Sequence, residues 1–197
     1  ECIPDRIEAG TFMVAAAITR GRLTLTKVRA DHMHAVISKL QEAGVGITVE
    51  ANGDITVDGT GEFKPVDIRT LPFPGFPTDL QSQLMTFLTL VPGTSMVTET
   101  VFENRFMHVD ELQRMGANIK TEGNCAVIQG VESLTGAPVK ATDLRAGAAM
   151  ILAGLAARGE TIVSNLHHID RGYEDIVGKL SAVGARISRT QRTEALV

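Results

Sequence analysis

One carboxylate and two guanidinium groups are the residues whose types and spacing could do chemistry together. Asp79 follows Phe76-Pro77-Thr78 just before an apolar helix signal. Arg105 lies in the stretch Val101-Phe102-Glu103-Asn104-Arg105-Phe106, and Arg171 in His167-His168-Ile169-Asp170-Arg171-Gly172. Guanidinium forks suit phosphate and carboxylate. A carboxylate within hydrogen-bond reach of a hydroxyl can take its proton. Together these types allow work on an anionic substrate. Plainer readings stand beside this one. Asp5, Asp79 and Asp143 occupy equivalent places in the chain, and Asp is a preferred helix N-cap, so pattern alone reads Asp79 as a cap. Arg105 and Arg171 read equally well as solvated loop arginines.

The elements that must position these residues form a repeat. The pattern Leu-x3-Gly-x2-Ile occurs three times, at Leu40/Gly44/Ile47, Leu112/Gly116/Ile119 and Leu180/Gly184/Ile187. Upstream of each lies a glycine (Gly21, Gly93, Gly159), and further upstream one of the three aspartates. After each aspartate comes a helix signal that is apolar nearly all round, at 12–18, 84–91 and 146–157, which marks a buried helix. The upstream glycine reads as the helix stop. A β run follows at 23–26, 96–101 and 161–163. A second, amphipathic helix shows the i, i+3, i+4, i+7 stripe in Met33, Val36, Ile37 and Leu40, and again in Tyr173, Ile176, Val177 and Leu180. A hairpin closes the unit, turning at Asn52-Gly53 in the first copy and at Gly123-Asn124 in the second. Leading strands at 65–68 and 138–141 complete a β-α-β-α-β-β unit.

The expected fold is therefore α/β (α+β), an inverse α/β barrel of three repeated βαβαββ units with helices inside and sheets outside. The units run approximately 1–60, 61–132 and 133–197 within one domain of 197 residues. Unit one lacks most of its first strand and unit three its last, and the first residue is Glu, so the chain reads as a piece of a longer protein. Within a unit, strands one and two should run parallel with a right-handed crossover. Their following loops then share the sheet edge where open α/β sheets bind ligands. The first loop carries the aspartate. The second carries 101–106 in unit two, 167–172 in unit three and Arg29-Ala30-Asp31-His32 in unit one.

Composition excludes several classes. Hydrophobic residues at 44% and charged residues at 21% are those of a soluble globular protein. A net charge of -4 gives no bulk electrostatic case for nucleic acid. The most apolar run, 146–157, is far shorter than the ~20 residues of a membrane span. Cys2 and Cys125 form no CxxC, which fits a reducing compartment, and neither is assigned a reaction. No metal site is expected. His32 and His34 would not share a helix face, and His167-His168 reads as a turn. Gly59-x-Gly61 lacks the third glycine and the lysine of a phosphate loop.

Several strings carry a resemblance. They are Pro4-Asp5-Arg6-Ile7-Glu8-Ala9-Gly10-Thr11-Phe12, Phe76-Pro77-Thr78-Asp79-Leu80-Gln81, Thr98-Glu99-Thr100-Val101-Phe102-Glu103-Asn104-Arg105-Phe106-Met107-His108, Ala141-Thr142-Asp143-Leu144-Arg145-Ala146 and His168-Ile169-Asp170-Arg171-Gly172-Tyr173-Glu174. Across essentially the whole chain the sequence resembles the C-terminal half of the UDP-N-acetylglucosamine 1-carboxyvinyltransferases. The shikimate-pathway enolpyruvyl transferases share the repeat but not these strings. The resemblance implies a two-domain cytoplasmic enzyme that starts peptidoglycan synthesis, with its site between two inverse α/β barrels. Such an enzyme moves the enolpyruvyl group of phosphoenolpyruvate to the 3-hydroxyl of UDP-N-acetylglucosamine, with no metal or organic cofactor. By motif match Asp79 would be the general base at that hydroxyl, and the backbone around Val101 and Phe102 would hold the UDP-sugar. Arg105, Arg145 and Arg171 would line the phosphoenolpyruvate side. The family's loop cysteine, with a lysine and a further arginine, belongs to the missing N-terminal domain, so this piece is expected to fold but not to turn over. A shikimate-type transferase domain and a non-catalytic scaffold that reuses the repeat are the alternatives.

Overall fold

Asp5 opens the first helix. Its carboxylate accepts hydrogen bonds from the N–H groups of Ile7 (2.7 Å) and Glu8 (3.3 Å), two donors that a helix start leaves without intrahelical partners. Asp143 does the same for a later helix, accepting from Arg145 (2.8 Å) and Ala146 (3.0 Å). The computed structural model describes residues 3–190, so Cys2 falls outside it. Unit one contains α1 (Arg6–Ile18), β1 (Arg22–Leu25), α2 (His34–Glu42), β2 (Gly46–Val49) and β3 (Ile55–Asp58). Unit two runs β4 (Ile68–Arg69), α3 (Gln81–Leu88), β5 (Thr94–Thr98), α4 (Val109–Arg114), β6 (Asn118–Glu122) and β7 (Cys125–Gln129). Unit three contributes β8 (Pro138–Lys140), α5 (Leu144–Ala156), β9 (Ile162–Ser164) and α6 (Ile176–Ala182).

The helices α1, α3 and α5 pack against one another at the centre, and most of their residues are buried. Runs such as Val14-Ala15-Ala16-Ala17 and Ala148-Ala149 present little bulk, which lets the backbones approach. The sheets lie outside this triad. In β5 and β7 the inward residues Val97, Ala126 and Ile128 are fully buried, while the cross-strand pair Met96 and Val127 faces outward. The order β4-β5-β7-β6 forms one sheet, with β4 parallel to β5 and the other pairs antiparallel. Unit one shows the same sheet without its leading strand, as β1-β3-β2. Unit three shows the parallel pair β8-β9.

The repeated Leu-x3-Gly is the C-terminal cap of the amphipathic helices. Gly44, Gly116 and Gly184 adopt φ of 93°, 95° and 96°, a region glycine enters without steric cost. In each case the residue after the glycine donates its N–H to the carbonyl of the repeated leucine: Val45 to Leu40, Ala117 to Leu112 and Ala185 to Leu180, all at 3.0 Å. This is the Schellman closure, and it explains why leucine and glycine recur at that spacing.

Several expectations need correction. The upstream glycines do not end the buried helices. After α1 it is Arg20 that takes the left-handed conformation (φ 57°), and Gly21 follows it, donating to Ala16. Gly93 and Gly159 lie beyond their helices, next to the strands they introduce. The first hairpin does turn at Asn52-Gly53, joining β2 to β3 through more than two residues. Gly53 (φ 89°) donates to Glu50, and Glu50 to Asp54, which gives a longer loop. The run at 96–101 leaves the sheet at Thr98, so Val101 belongs to a loop. The mixed α/β class and the central helices are as expected. Among the described residues, strand pairing is confined to three separate sheets.

Candidate active site

The strands β4 and β5, like β8 and β9, run parallel, so the loops that follow them emerge on one side. Asp79 follows the first of these strands, inside a 3-10 turn at Thr78–Leu80 that leads into α3. Its carboxylate caps nothing. One oxygen accepts from Arg105 Nη2 at 3.0 Å and the other from Arg145 Nη2 at 3.1 Å. The two arginine side chains are only 12% and 15% exposed, whereas the aspartate side chain is 40% exposed. Two largely desolvated cations thus share one partly open anion. A guanidinium out of water needs such a partner, and each arginine gives Asp79 only one of its nitrogens.

Each arginine has its own support. Asn104 sits at φ 56°, a conformation asparagine tolerates better than most side chains, and turns the loop so that Arg105 points back to Asp79. The Arg105 guanidinium also lies 4.7 Å from the centroid of the Phe102 ring, within cation–π range. Arg145 stands in the first turn of α5, where its N–H is held by Asp143. Arg171 lines the same pocket, of about 550 Å³, together with Met107 and His168. Sequence reading therefore brings Asp79, Arg105, Arg145 and Arg171 to one place. The N–H groups of Arg145 and Ala146 at the start of α5 are taken by Asp143.

A buried polar chain holds the Asp79 turn from below. Gln83 Nε2 donates to the Asp79 carbonyl at 3.0 Å and to Thr11 Oγ1 at 3.2 Å. Thr11 Oγ1 lies 2.8 Å from the Tyr173 hydroxyl. These residues come from α1, from α3 and from just before α6, so all three units meet beneath the carboxylate.

Sequence reading missed Glu99. It follows β5 in the inward alternation Ser95, Val97, Glu99 and is 4% exposed. One carboxylate oxygen accepts from the Thr70 hydroxyl (2.6 Å) and from the N–H groups of Val101 (2.8 Å) and Phe102 (3.0 Å). The other accepts from the Thr78 hydroxyl at 2.9 Å. The signal was an acidic residue on the inward side of a strand. His108 was missed as well. Burial lowers its pKa from 6.5 to about 4, against smaller upward pulls from Asp143 and the Arg105 backbone. A larger cavity, about 830 Å³, lies at the other ends of α1 and α5, beside residues such as Ala16, Leu23 and Gly159. Asp79 and its arginines are not part of it, and β1, which contributes Arg22 and Leu23 to it, has one edge without a strand partner among the described residues.

Residues 1–180 match the family model described as EPSP synthase (3-phosphoshikimate 1-carboxyvinyltransferase). A UDP-N-acetylglucosamine 1-carboxyvinyltransferase of Desulfofundulus thermocisternus is 56% identical over 192 residues, covering 98% of this chain and 79% of that protein. The chain belongs to this family, in its UDP-N-acetylglucosamine 1-carboxyvinyltransferase branch. Other members of the UDP-N-acetylglucosamine 1-carboxyvinyltransferase branch are longer. Those of Caldanaerobacter subterraneus subsp. tengcongensis and Clostridium perfringens are each 60% identical over 95% of this chain, which spans 45% of their length. Among solved structures, the enolpyruvyl transferase NikO from Streptomyces tendae superimposes with a TM-score of 0.83 at 31% identity, over 93% of this chain and 43% of that one. EPSP synthase from Acinetobacter baumannii gives 0.65 at 22% identity, over 87% and 43%, a likeness of fold. The motif strings and the pocket coincide: Phe102, Arg105, Arg145 and Arg171 all line it beside Asp79. Val101 stands apart from that wall, on the adjoining face of the same loop.

Proposed function

We propose that this chain supplies the substrate-binding half of an enolpyruvyl transferase acting on UDP-N-acetylglucosamine. The reaction would move the carboxyvinyl group of phosphoenolpyruvate to the sugar 3-hydroxyl and release phosphate, an early step of peptidoglycan synthesis in the cytoplasm. The three units would take their place in an inverse α/β barrel, facing a second domain across the site. One observation carries the reading: a half-open carboxylate gripped by Arg105 and Arg145, with Arg171 on the same pocket wall.

The arrangement suits the chemistry. Phosphoenolpyruvate brings a phosphate and a carboxylate, and either can replace Asp79 as the partner of the guanidinium groups. Asp79 is then released to face the sugar hydroxyl as its general base. The oxygen adds to the phosphate-bearing enol carbon while the neighbouring methylene carbon takes up a proton. The arginines stabilise the charge of the tetrahedral intermediate, and phosphate leaves as that carbon gives a proton back and the double bond re-forms. The backbone at Val101 and Phe102 would hold the UDP-sugar through its carbonyl oxygens, since both N–H groups already donate to Glu99.

Calorimetric titration of the chain tests this. Heat is expected with UDP-N-acetylglucosamine and none with shikimate 3-phosphate; the reverse would favour the shikimate-type reading. The chain alone is expected to release no phosphate from phosphoenolpyruvate, because it spans 45% of the length of such relatives. Asp79→Ala in the intact transferase should abolish transfer and leave the fold intact, whereas a scaffold would be indifferent to it.

A further inference from the structure

We propose that Glu99 is a positioning residue that locks the Asp79 turn and the arginine loop into one rigid unit, through its hydrogen bonds and not through its charge. The inference rests on the reading of Asp79 as the base. A buried carboxylate is costly unless its lone pairs are used, and an ionised one has about four sites. Glu99 uses four, with donors from three different segments. Thr70 directly follows β4 and in turn accepts from Thr100 N at 2.9 Å. Thr78 is the residue before Asp79. Val101 and Phe102 begin the loop that delivers Arg105. The base and one of its arginines are therefore registered against each other through a single side chain whose hydrogen bonds go to neither of them.

Geometry also says which replacement should work. Three of the four bonds converge on one oxygen, which a glutamine carbonyl reproduces. The fourth partner is a hydroxyl, which can turn to accept from the glutamine amide. Glu99→Gln thus keeps the clamp while removing the charge, and Glu99→Ala removes both. Misplacement of catalytic groups by about 1 Å costs on the order of 100-fold in rate.

Steady-state kinetics of the intact transferase test the proposal. Glu99→Ala should lower kcat/KM by about 100-fold, and Glu99→Gln should restore most of that loss. Thr78→Val, which cuts the bond to the Asp79 turn alone, should lower kcat more than it raises KM for the UDP-sugar. Wild-type rates in Glu99→Ala, or a Glu99→Gln enzyme as impaired as Glu99→Ala, would overturn it. If Glu99→Ala does not fold, an unchanged kcat in Thr78→Val overturns it just as well. Asp79→Ala run in parallel separates the two levels. Full activity there overturns the reading of the site, while loss there beside an unaffected Glu99→Ala overturns only the role of Glu99.

Discussion

Asp79 and Arg145 belong to different repeats of the chain, and their side chains meet at 3.1 Å. The contact breaks the equivalence of the three aspartates. Asp5 and Asp143 each cap a helix, while Asp79 pairs with the arginines. The proposed functional centre therefore lies where the repeat departs from itself.

That contact gives the first prediction. In the intact transferase, Arg145→Ala should weaken phosphoenolpyruvate more than the UDP-sugar. A lost hydrogen bond to a charged group is worth about 1.5–3 kcal/mol, or roughly tenfold to a hundredfold in KM for phosphoenolpyruvate. Initial rates measured with each substrate varied in turn decide it. Equal shifts in both constants would remove Arg145 from the phosphoenolpyruvate side.

The divergence of the aspartates gives the second. Asp5→Ala and Asp143→Ala should each lower unfolding free energy by about 1 kcal/mol, the usual cost of a lost N-cap. Asp79→Ala removes no cap but leaves the largely buried Arg105 and Arg145 without their anion, so it should cost clearly more than a cap. Urea unfolding of the chain and its three variants makes the comparison, and a cap-sized loss at all three positions would contradict it.

These residues also show what a sequence can disclose. The repeat was legible because its physics is local: a leucine carbonyl three residues before the helix end needs a donor, and a glycine supplies the backbone turn that brings it. The buried helices were legible because they lack a polar face. The role of Asp79 was not, since a capping aspartate and a salt-bridged one look alike until Arg145 arrives from another unit. Glu99 was hidden for a similar reason. Its four donors are spread from Thr70 to Phe102, and no spacing rule joins them. The helix stop after α1 was misread because Arg20 takes the left-handed position that glycine normally fills.

The core chain beneath the site gives a third prediction. Tyr173→Phe should cost about 1 kcal/mol by removing the hydroxyl that meets Thr11. Thr11→Val should cost a similar amount, because it also takes away the oxygen that accepts from Gln83. The two changes touch one network, so the double variant should depart from additivity by about 0.5 kcal/mol or more. A strictly additive double-mutant cycle in urea would show that Thr11 and Tyr173 act independently.

His108 gives the last prediction, in pH. Its imidazole is buried beside α4 and held neutral, with a pKa of about 4 against 6.5 when solvated. Below pH 6.5 the unfolded chain takes up a proton that the folded chain refuses. Stability must therefore fall as pH drops from 6.5 towards 4, and this contribution stops growing below the folded value. At 1.36 kcal/mol for each pKa unit, the loss is about 3 kcal/mol. Carboxylates add their own acid dependence, so the informative quantity is a difference. His108→Gln cannot take up the proton, and its stability relative to the parent should rise by about that amount across the window. Urea unfolding of both proteins at several pH values measures it. If the two stability curves run parallel from neutral pH to pH 4, the imidazole is not held neutral by burial.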